Sequence, residues 1–193
     1  MFDFASYHRA SDIAGAVSLL ARYPQAKLLA GGTDVLIQLH HHNARYRHIV
    51  DIHDLPELRG ITLSKEERLR IGSATTFSEI IEHPVAQRHL PALCAAATSI
   101  AGPQIRNVAT YGGNICNGAT SADSATPTLI YDATLEIASP KGVRFTNIIG
   151  FHTGPGKVAL EQDEILVAFH FPPQPRAHTG SAHFKYEIGR AHV

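Results

Sequence analysis

The chain has 193 residues, room for one domain or two small ones, and its 44% apolar and 18% charged residues are ordinary for a globular protein. A chain of this length can bury about 70% of the surface its unfolded form exposes, so folding does not demand disulfides. Lys+Arg and Asp+Glu balance at 17 each, which excludes the basic field that holds nucleic-acid phosphates. Cys94 and Cys116 form no C-x-x-C pair and are too few to ligate an iron–sulfur cluster; they are expected to be reduced, partly buried thiols. Met1 to Arg9 lacks the apolar stretch of a secretory signal, and no apolar run approaches the roughly 20 residues of a membrane span. A soluble, cytoplasmic protein is expected.

The elements are short and punctuated by Gly and Pro. Phe2-Asp3-Phe4 alternates and predicts a short strand. Ser11 can cap a helix whose apolar stripe is Ile13, Val17 and Leu20 and whose end is Pro24. Lys27 to Ala30 reads as a strand running into Gly31-Gly32-Thr33-Asp34, then one or two helical turns over Val35 to His41, then a strand at His48 to Ile52. This stretch, 1–55, forms one α/β unit. In the next, 56–186, Leu69 to Gly72 predicts a strand, and Thr76 with Glu79 fits a capping box for a helix ended by Pro84. Pro91 opens an Ala-rich helix through Ala101. Leu135–Ala138 and Val143–Phe145 flank a Pro140-Lys141-Gly142 turn and predict a hairpin; Ile165 to Phe171 predicts a last strand. The absence of strict βαβ alternation favours an α+β fold.

Two segments carry chemistry. In Lys27-Leu28-Leu29-Ala30-Gly31-Gly32-Thr33-Asp34, adjacent glycines let the backbone approach a ligand, and successive N–H groups can form an anion-binding nest. Thr33 and Lys27 add a hydroxyl and a charge, and each charge-assisted hydrogen bond to phosphate contributes roughly 1.5–3 kcal/mol. Taken alone, the segment reads more simply as a tight strand–helix turn. The second, Thr110 to Gly118 continuing to Asp123, is almost all small or polar and reads as a long loop that a ligand would order, or as an ordinary surface loop. Thr110, Asn114 and Asp123 can hydrogen-bond phosphate or sugar-alcohol oxygens. Neither segment fits a P-loop or a G-x-G-x-x-G fingerprint. Two separated nests point to an extended phosphate linker, hence a dinucleotide. His40-His41-His42 is no metal site, because consecutive helical side chains point about 100° apart. Arg106 reads either as a partner or cofactor contact or as a structural ion pair.

Ala30 to Asp34 with Thr110 to Ile115, in that order and spacing, resemble the paired A-G-G-T-[DE] and T-[IVL]-G-G-N-[IL] segments of the FAD-binding subunits and domains of molybdenum hydroxylases. Ala101 to Asn107, Gly154 to Lys157 and Asp163 to Leu166 are also similar to that family, and the runs Leu36 to His42 and Thr110 to Thr128 look most like its bacterial xanthine dehydrogenase members. The resemblance implies a two-lobed FAD-binding fold (PCMH-type, as in carbon monoxide dehydrogenase flavoproteins). It implies that Lys27, Leu28, Leu29, Ala30, Gly31, Gly32, Thr33 and Asp34 wrap the FAD pyrophosphate. Thr110, Gly112, Gly113 and Asn114 would run along pyrophosphate and ribitol, with Asp123 nearby. Ile165 or Leu166 would pack by a ring of the cofactor, and Lys185 matches a family lysine. No side chain is expected to act as acid, base or nucleophile. Electrons would come from [2Fe-2S] clusters on an iron–sulfur subunit, beside a molybdopterin-bearing molybdenum subunit, and leave as hydride to NAD in purine oxidation. A flavin subunit for carbon monoxide, nicotinate or aromatic acyl-CoA chemistry, or a non-catalytic fragment, are the alternatives. Position 111 departs from the family as Tyr, either against the flavin or filling space, and position 120 departs as Thr. Relatives continue past Tyr186 into a C-terminal domain. Glu187 to Val193 do not resemble them, and one possible coding of that tail reads like a sequencing adapter, so residues 187–193 are expected to be non-native and the C-terminal domain to be missing.

Overall fold

The structure, a computed structural model, describes residues 4–174 and 178–185. The expected Phe2 and Asp3 strand residues and the tail 187–193 lie outside them. The first lobe is a three-stranded sheet of β1 (Ser6–Arg9), β2 (Lys27–Leu29) and β3 (His48–Asp51), in the order β1-β3-β2 with both pairings parallel. The first strand therefore starts later than Phe4, which is exposed and in no strand; pairing of Ser6 with His48 through Arg9 with Asp51 sets its place. Helix α1 (Ile13–Arg22) joins β1 to β2, and α2 (Val35–His40) follows β2. The cap of α1 is Asp12 rather than Ser11: its carboxylate accepts from the Gly15 N–H at 2.6 Å. Two adjacent capping residue types left the choice open in the sequence, and the charged one takes the position. His40, His41 and His42 are all exposed.

The second lobe is built on five antiparallel strands: β4 (Ile61–Leu63), β5 (Leu69–Gly72), β6 (Thr134–Ser139), β7 (Gly142–Asn147) and, past the small hairpin β8 (His152–Gly154) and β9 (Lys157–Val158), β10 (Ile165–Phe171). Their order is β4-β5-β10-β6-β7. Helices α3 (Phe77–Glu82), α4 (Pro84–His89), α5 (Pro91–Thr98), α6 (Pro103–Arg106), α7 (Tyr111–Cys116) and α8 (Ala125–Ile130) lie between β5 and β6 in the chain. The Thr76–Glu79 capping box forms in full. Pro84 both ends α3 and opens α4, an element the sequence reading missed. Helix α5 stops at Thr98, short of Ala101, because the Arg106 guanidinium gathers the carbonyls of Thr98, Ile100 and Ala101 at 2.8–3.2 Å while Ala101 turns left-handed (φ 40°). Arg106 is thus a clamp on backbone carbonyls. The β6–β7 turn is tighter than expected: Gly142, at φ 113°, already pairs with Ser139.

Two cores result. Leu135, Ile137, Phe169, Phe171, Leu69 and Ile71 face Phe77, Ile80, Leu93 and Tyr111 on the helices. On the sheet's other face, Ala138, Ile165, Val167 and Ala168 meet Ala16, Val17 and Leu20 of α1 and Val50 of β3, so this core joins the lobes. Each fully buried Leu, Val or Phe there contributes roughly 1.5–3 kcal/mol. Alternation along β10 serves both cores, and a bulge between Leu166 and Ala168 puts the adjacent Val167 and Ala168 on one side, with Leu166 and Phe169 on the other.

Just before β10, the buried Glu164 carboxylate accepts from Arg144 Nε at 2.7 Å and Nη2 at 2.6 Å, and from the Glu161 N–H at 2.9 Å. The Arg144 hydrogen bond, chiefly, holds its carboxyl below the usual glutamate range. A depressed carboxylate stabilises the fold fully above its unfolded value, 4.5, and loses that contribution as pH falls through the lower folded value. Arg144→Ala leaves a buried carboxylate short of partners and should cost about 2 kcal/mol near neutral pH in urea unfolding. The gap between wild type and Arg144→Ala should narrow progressively below pH 4.5, and a gap independent of pH would contradict this assignment.

Candidate functional site

The first glycine segment runs from β2 to α2. A Cβ on Gly31 would lie 1.9 Å from the Val108 carbonyl oxygen of the second lobe, so only glycine allows this approach. Gly32 adopts φ 78°, the left-handed region that glycine enters without penalty. The N–H groups of Gly31, Gly32, Thr33 and Asp34 donate to no acceptor among the described residues. The segment is braced from behind. His53 Nδ1 donates to the Ala30 carbonyl at 3.2 Å, the His53 N–H donates to Asp51 Oδ1 at 2.8 Å, and the Tyr7 hydroxyl donates to the other Asp51 oxygen. Because a carbonyl only accepts, His53 carries its proton on Nδ1.

The second segment is not the free loop expected from its composition. Thr110 caps α7, accepting from the Gly113 N–H at 3.2 Å, and the Tyr111 and Gly112 N–H groups donate to the carbonyls of Thr75 and Ser73 at 2.9 and 2.7 Å. A Cβ on Gly112 would lie 2.5 Å from Ser73 Cβ, so this glycine serves the close approach of α7 to the strand end. The backbone donors from Tyr111 to Asn114 are therefore spent, and these residues form no nest. What remains available are side-chain donors: the Thr110 hydroxyl and the Asn114 amide. Tyr111 fills space in the core, stacked on Phe169 at 3.9 Å between ring centroids, with its hydroxyl 2.5 Å from Thr128 Oγ1. It anchors α7 and thereby aims the residues that follow it.

The two segments line one cleft of about 230 Å³ between the lobes. Lys27, Leu28, Ala30, Gly31, Gly32, Thr33 and Asp34 come from the first; Thr110, Gly112, Gly113 and Asn114 from the second; Ile165 and Leu166 from β10. Leu29, Asp123 and Lys185 do not line it. Leu29 lies beneath the turn, 3.3 Å from where a Gly32 Cβ would sit. Asp123 and Lys185 pair with each other at 2.8 Å, and Lys185 also donates to the Ser99 carbonyl at 3.3 Å. Sequence reasoning missed Tyr46, Ser73, Asn117 and Leu160, which also line the cleft. Asn117 lies within the second segment but was not named as a site residue; the others carry no local signal. Cys116 lines the cleft as a thiol, its pKa pushed up to about 12 by burial. Lys27 and Asp34 are the charged residues of the lining. Four open N–H groups, a lysine, a hydroxyl and an amide make a donor set for an anionic, oxygen-rich ligand, and Leu28, Ile165 and Leu166 offer apolar surface for a ring. Among the described residues no group of three or more His, Cys, Asp or Glu could hold a metal, and no helix is long and apolar enough to cross a membrane.

Residues 2–174 match the family described as the FAD binding domain in molybdopterin dehydrogenase. The chain belongs to this family. It is 81% identical over 188 residues to the xanthine dehydrogenase FAD-binding subunit of Escherichia coli O157:H7, covering 97% of this chain and 64% of that protein. It is 35% identical to the carbon monoxide dehydrogenase medium chain of Hydrogenophaga pseudoflava, over 86% of this chain and 58% of the other. A solved carbon monoxide dehydrogenase structure from Hydrogenophaga pseudoflava superposes with a TM-score of 0.92 at 34% identity, over 98% of this chain and 66% of the other. The α+β, two-lobed FAD-binding fold is therefore that of the carbon monoxide dehydrogenase flavoproteins, and FAD is the cofactor of the domain. The chain spans somewhat less than two thirds of the length of the xanthine dehydrogenase subunit it matches.

The backbone contact at Gly31 makes a sharp expectation. Gly31→Ala forces a methyl into the Val108 carbonyl and should destabilise the chain by about 3 kcal/mol, read from the denaturant midpoint. Gly154→Ala, whose nearest neighbour would be 4.0 Å away, should change stability by less than about 0.5 kcal/mol. Equal effects at the two positions would mean that the lobes do not touch through Gly31.

Proposed function

We propose that this chain is the FAD-binding subunit of a xanthine dehydrogenase. The observation that carries the proposal is the run of four open N–H groups from Gly31 to Asp34, sharing one cleft with the Thr110 and Asn114 donors, in a chain 81% identical to such a subunit. The FAD pyrophosphate rests on the open N–H groups, and Lys27 adds charge. Thr110 and Asn114 donate to pyrophosphate or ribitol oxygens, while Gly112 and Gly113 keep the backbone low beside them. Leu28, Ile165 and Leu166 pack against a ring. Leu29 acts from beneath, as filling under the turn. Asp123 and Lys185 act from outside the cleft, their ion pair fixing the segment that leads into Ser124. The cleft is below the ~300 Å³ at which small-molecule sites usually begin, so a dinucleotide would run out of it along the seam between lobes 1–55 and 56–186.

Bound FAD supplies the redox chemistry; the chain binds it, orients it and excludes water around it. In the whole complex, electrons arrive from [2Fe-2S] clusters on an iron–sulfur subunit, the molybdopterin cofactor sits on the molybdenum subunit, and NAD takes the hydride during hypoxanthine or xanthine oxidation in the cytoplasm. The TM-score of 0.92 to a carbon monoxide dehydrogenase structure supports a second reading, a flavin subunit serving another molybdenum hydroxylase. NADH formation from xanthine by the assembled complex separates the two.

The direct test is to mix the purified chain with FAD and desalt it. Wild type should retain flavin absorbance, and the combined Gly32→Ala and Gly113→Ala variant should release it, since one methyl strains the φ 78° turn and the other meets the Thr110 hydroxyl at 2.7 Å. No retention by wild type, or equal retention by both, sinks the proposed site.

A further inference from the structure

Asn114 reaches the cleft at the end of a buried hydrogen-bond chain that begins in the core. Its carbonyl Oδ1 lies 2.6 Å from the Ser124 hydroxyl. Ser124 is fully buried, and its hydroxyl proton has no other acceptor among the described residues, so it donates to Asn114 Oδ1. The reversed amide would leave that proton buried and unpaired. The Ser124 backbone is itself fixed: Thr128 Oγ1 donates to its carbonyl at 2.5 Å. The single Thr128 proton is used there, so the Tyr111 hydroxyl must donate to Thr128 in turn, at 2.5 Å. Tyr111 and Thr128 are both fully buried. The carbonyl end of Asn114 is thereby consumed, and the Nδ2 amide, which donates to no acceptor among the described residues, is the end left for the cleft that Asn114 lines.

We propose that Ser124 is a positioning residue that commits Asn114 to present its amide N–H groups, so that this corner of the cleft accepts only an acceptor oxygen of the cofactor, a phosphoryl or ribitol oxygen. The proposal rests on FAD occupying the cleft, as set out above. Ser124→Ala removes one oxygen, lets Asn114 rotate, and should weaken FAD binding roughly tenfold, the effect of one hydrogen bond. Asn114→Ala should cost about as much, and the two together no more than either alone, because both remove the same oriented donor.

The experiment is a fluorescence titration of the full chain with FAD for wild type, Ser124→Ala, Asn114→Ala and the double variant, with ¹⁵N spectra of the Asn114 side-chain amide recorded beside it. Ser124→Cys, which keeps the shape of the side chain and a weak donor, guards against a folding failure of Ser124→Ala and should fall between wild type and Ala. Losses that multiply in the double variant, or wild-type affinity in Ser124→Ala, overturn the proposal. If wild type binds no FAD, the flavin site fails, yet the amide resonances still decide. A shift of the Asn114 pair on Ser124→Ala or Ser124→Cys upholds the orientation, and an unchanged pair overturns it.

Discussion

The contact on which the site depends is backbone against backbone. Gly31 on the first lobe lies so close to the Val108 carbonyl that no side chain fits between them, and Gly112 does the same against Ser73 within the second lobe. Because these contacts involve main chain, the cleft between them inherits the rigidity of the two sheets. The core that joins the lobes, α1 against β6 and β10, holds the first contact closed through apolar burial. Geometry needed for binding is thus set by packing on the far side of the sheet.

The two glycine segments look alike in sequence and do different work. Each donates or withholds its N–H groups according to what stands opposite. At Tyr111 and Gly112 the carbonyls of Thr75 and Ser73 take the donors, so this turn of the second segment offers the cleft the side chains of Thr110 and Asn114. From Gly31 to Asp34 the N–H groups donate to no carbonyl among the described residues, and the support comes instead from behind, through His53 on the Ala30 carbonyl. Open N–H groups cost free energy when they are shielded from water without a partner. A segment that keeps four of them side by side, held in place by a histidine, a carboxylate and a tyrosine hydroxyl, is arranged for an anion to satisfy them.

That difference marks the limit of what was legible in the sequence. A need for glycine is local, so Gly31-Gly32 and Gly112-Gly113 could be recognised as places of close approach. So could the Thr76–Glu79 capping box and the β6–β7 hairpin, whose signals lie within a few residues. Whether an N–H is free depends on residues far away in the chain, Ser73 and Thr75 here, and composition does not reveal them. Helix α8 escaped notice because Ala125–Ile130 carries Pro127 and no apolar stripe, and β4 because three residues are too few for a period. Arg106, which read either as a partner or cofactor contact or as a structural ion pair, is a carbonyl clamp, since its target is a helix end that only exists once Ala101 turns left-handed. Asp123 and Lys185, joined to the cofactor by resemblance, find each other in the structure, and Leu29 lies under the turn it was expected to help form.

Tyr111 shows how the core and the site are one construction. An aromatic residue sits between a capping threonine and two glycines. Its ring is held by Phe169 on β10, the strand that also delivers Ile165 and Leu166 to the cleft. Its hydroxyl, rather than being left unpaired in the core, starts the chain that passes through Thr128 to the Ser124 backbone. A phenol in that position costs nothing in buried polarity because Thr128 accepts from it. In return, rotation of α7 about its own axis would have to break a stacked ring pair and a buried hydrogen bond together. The orientation of Thr110 and Asn114 is consequently as stable as the hydrophobic core, which suits a domain whose task is to hold a cofactor still while the cofactor carries the chemistry.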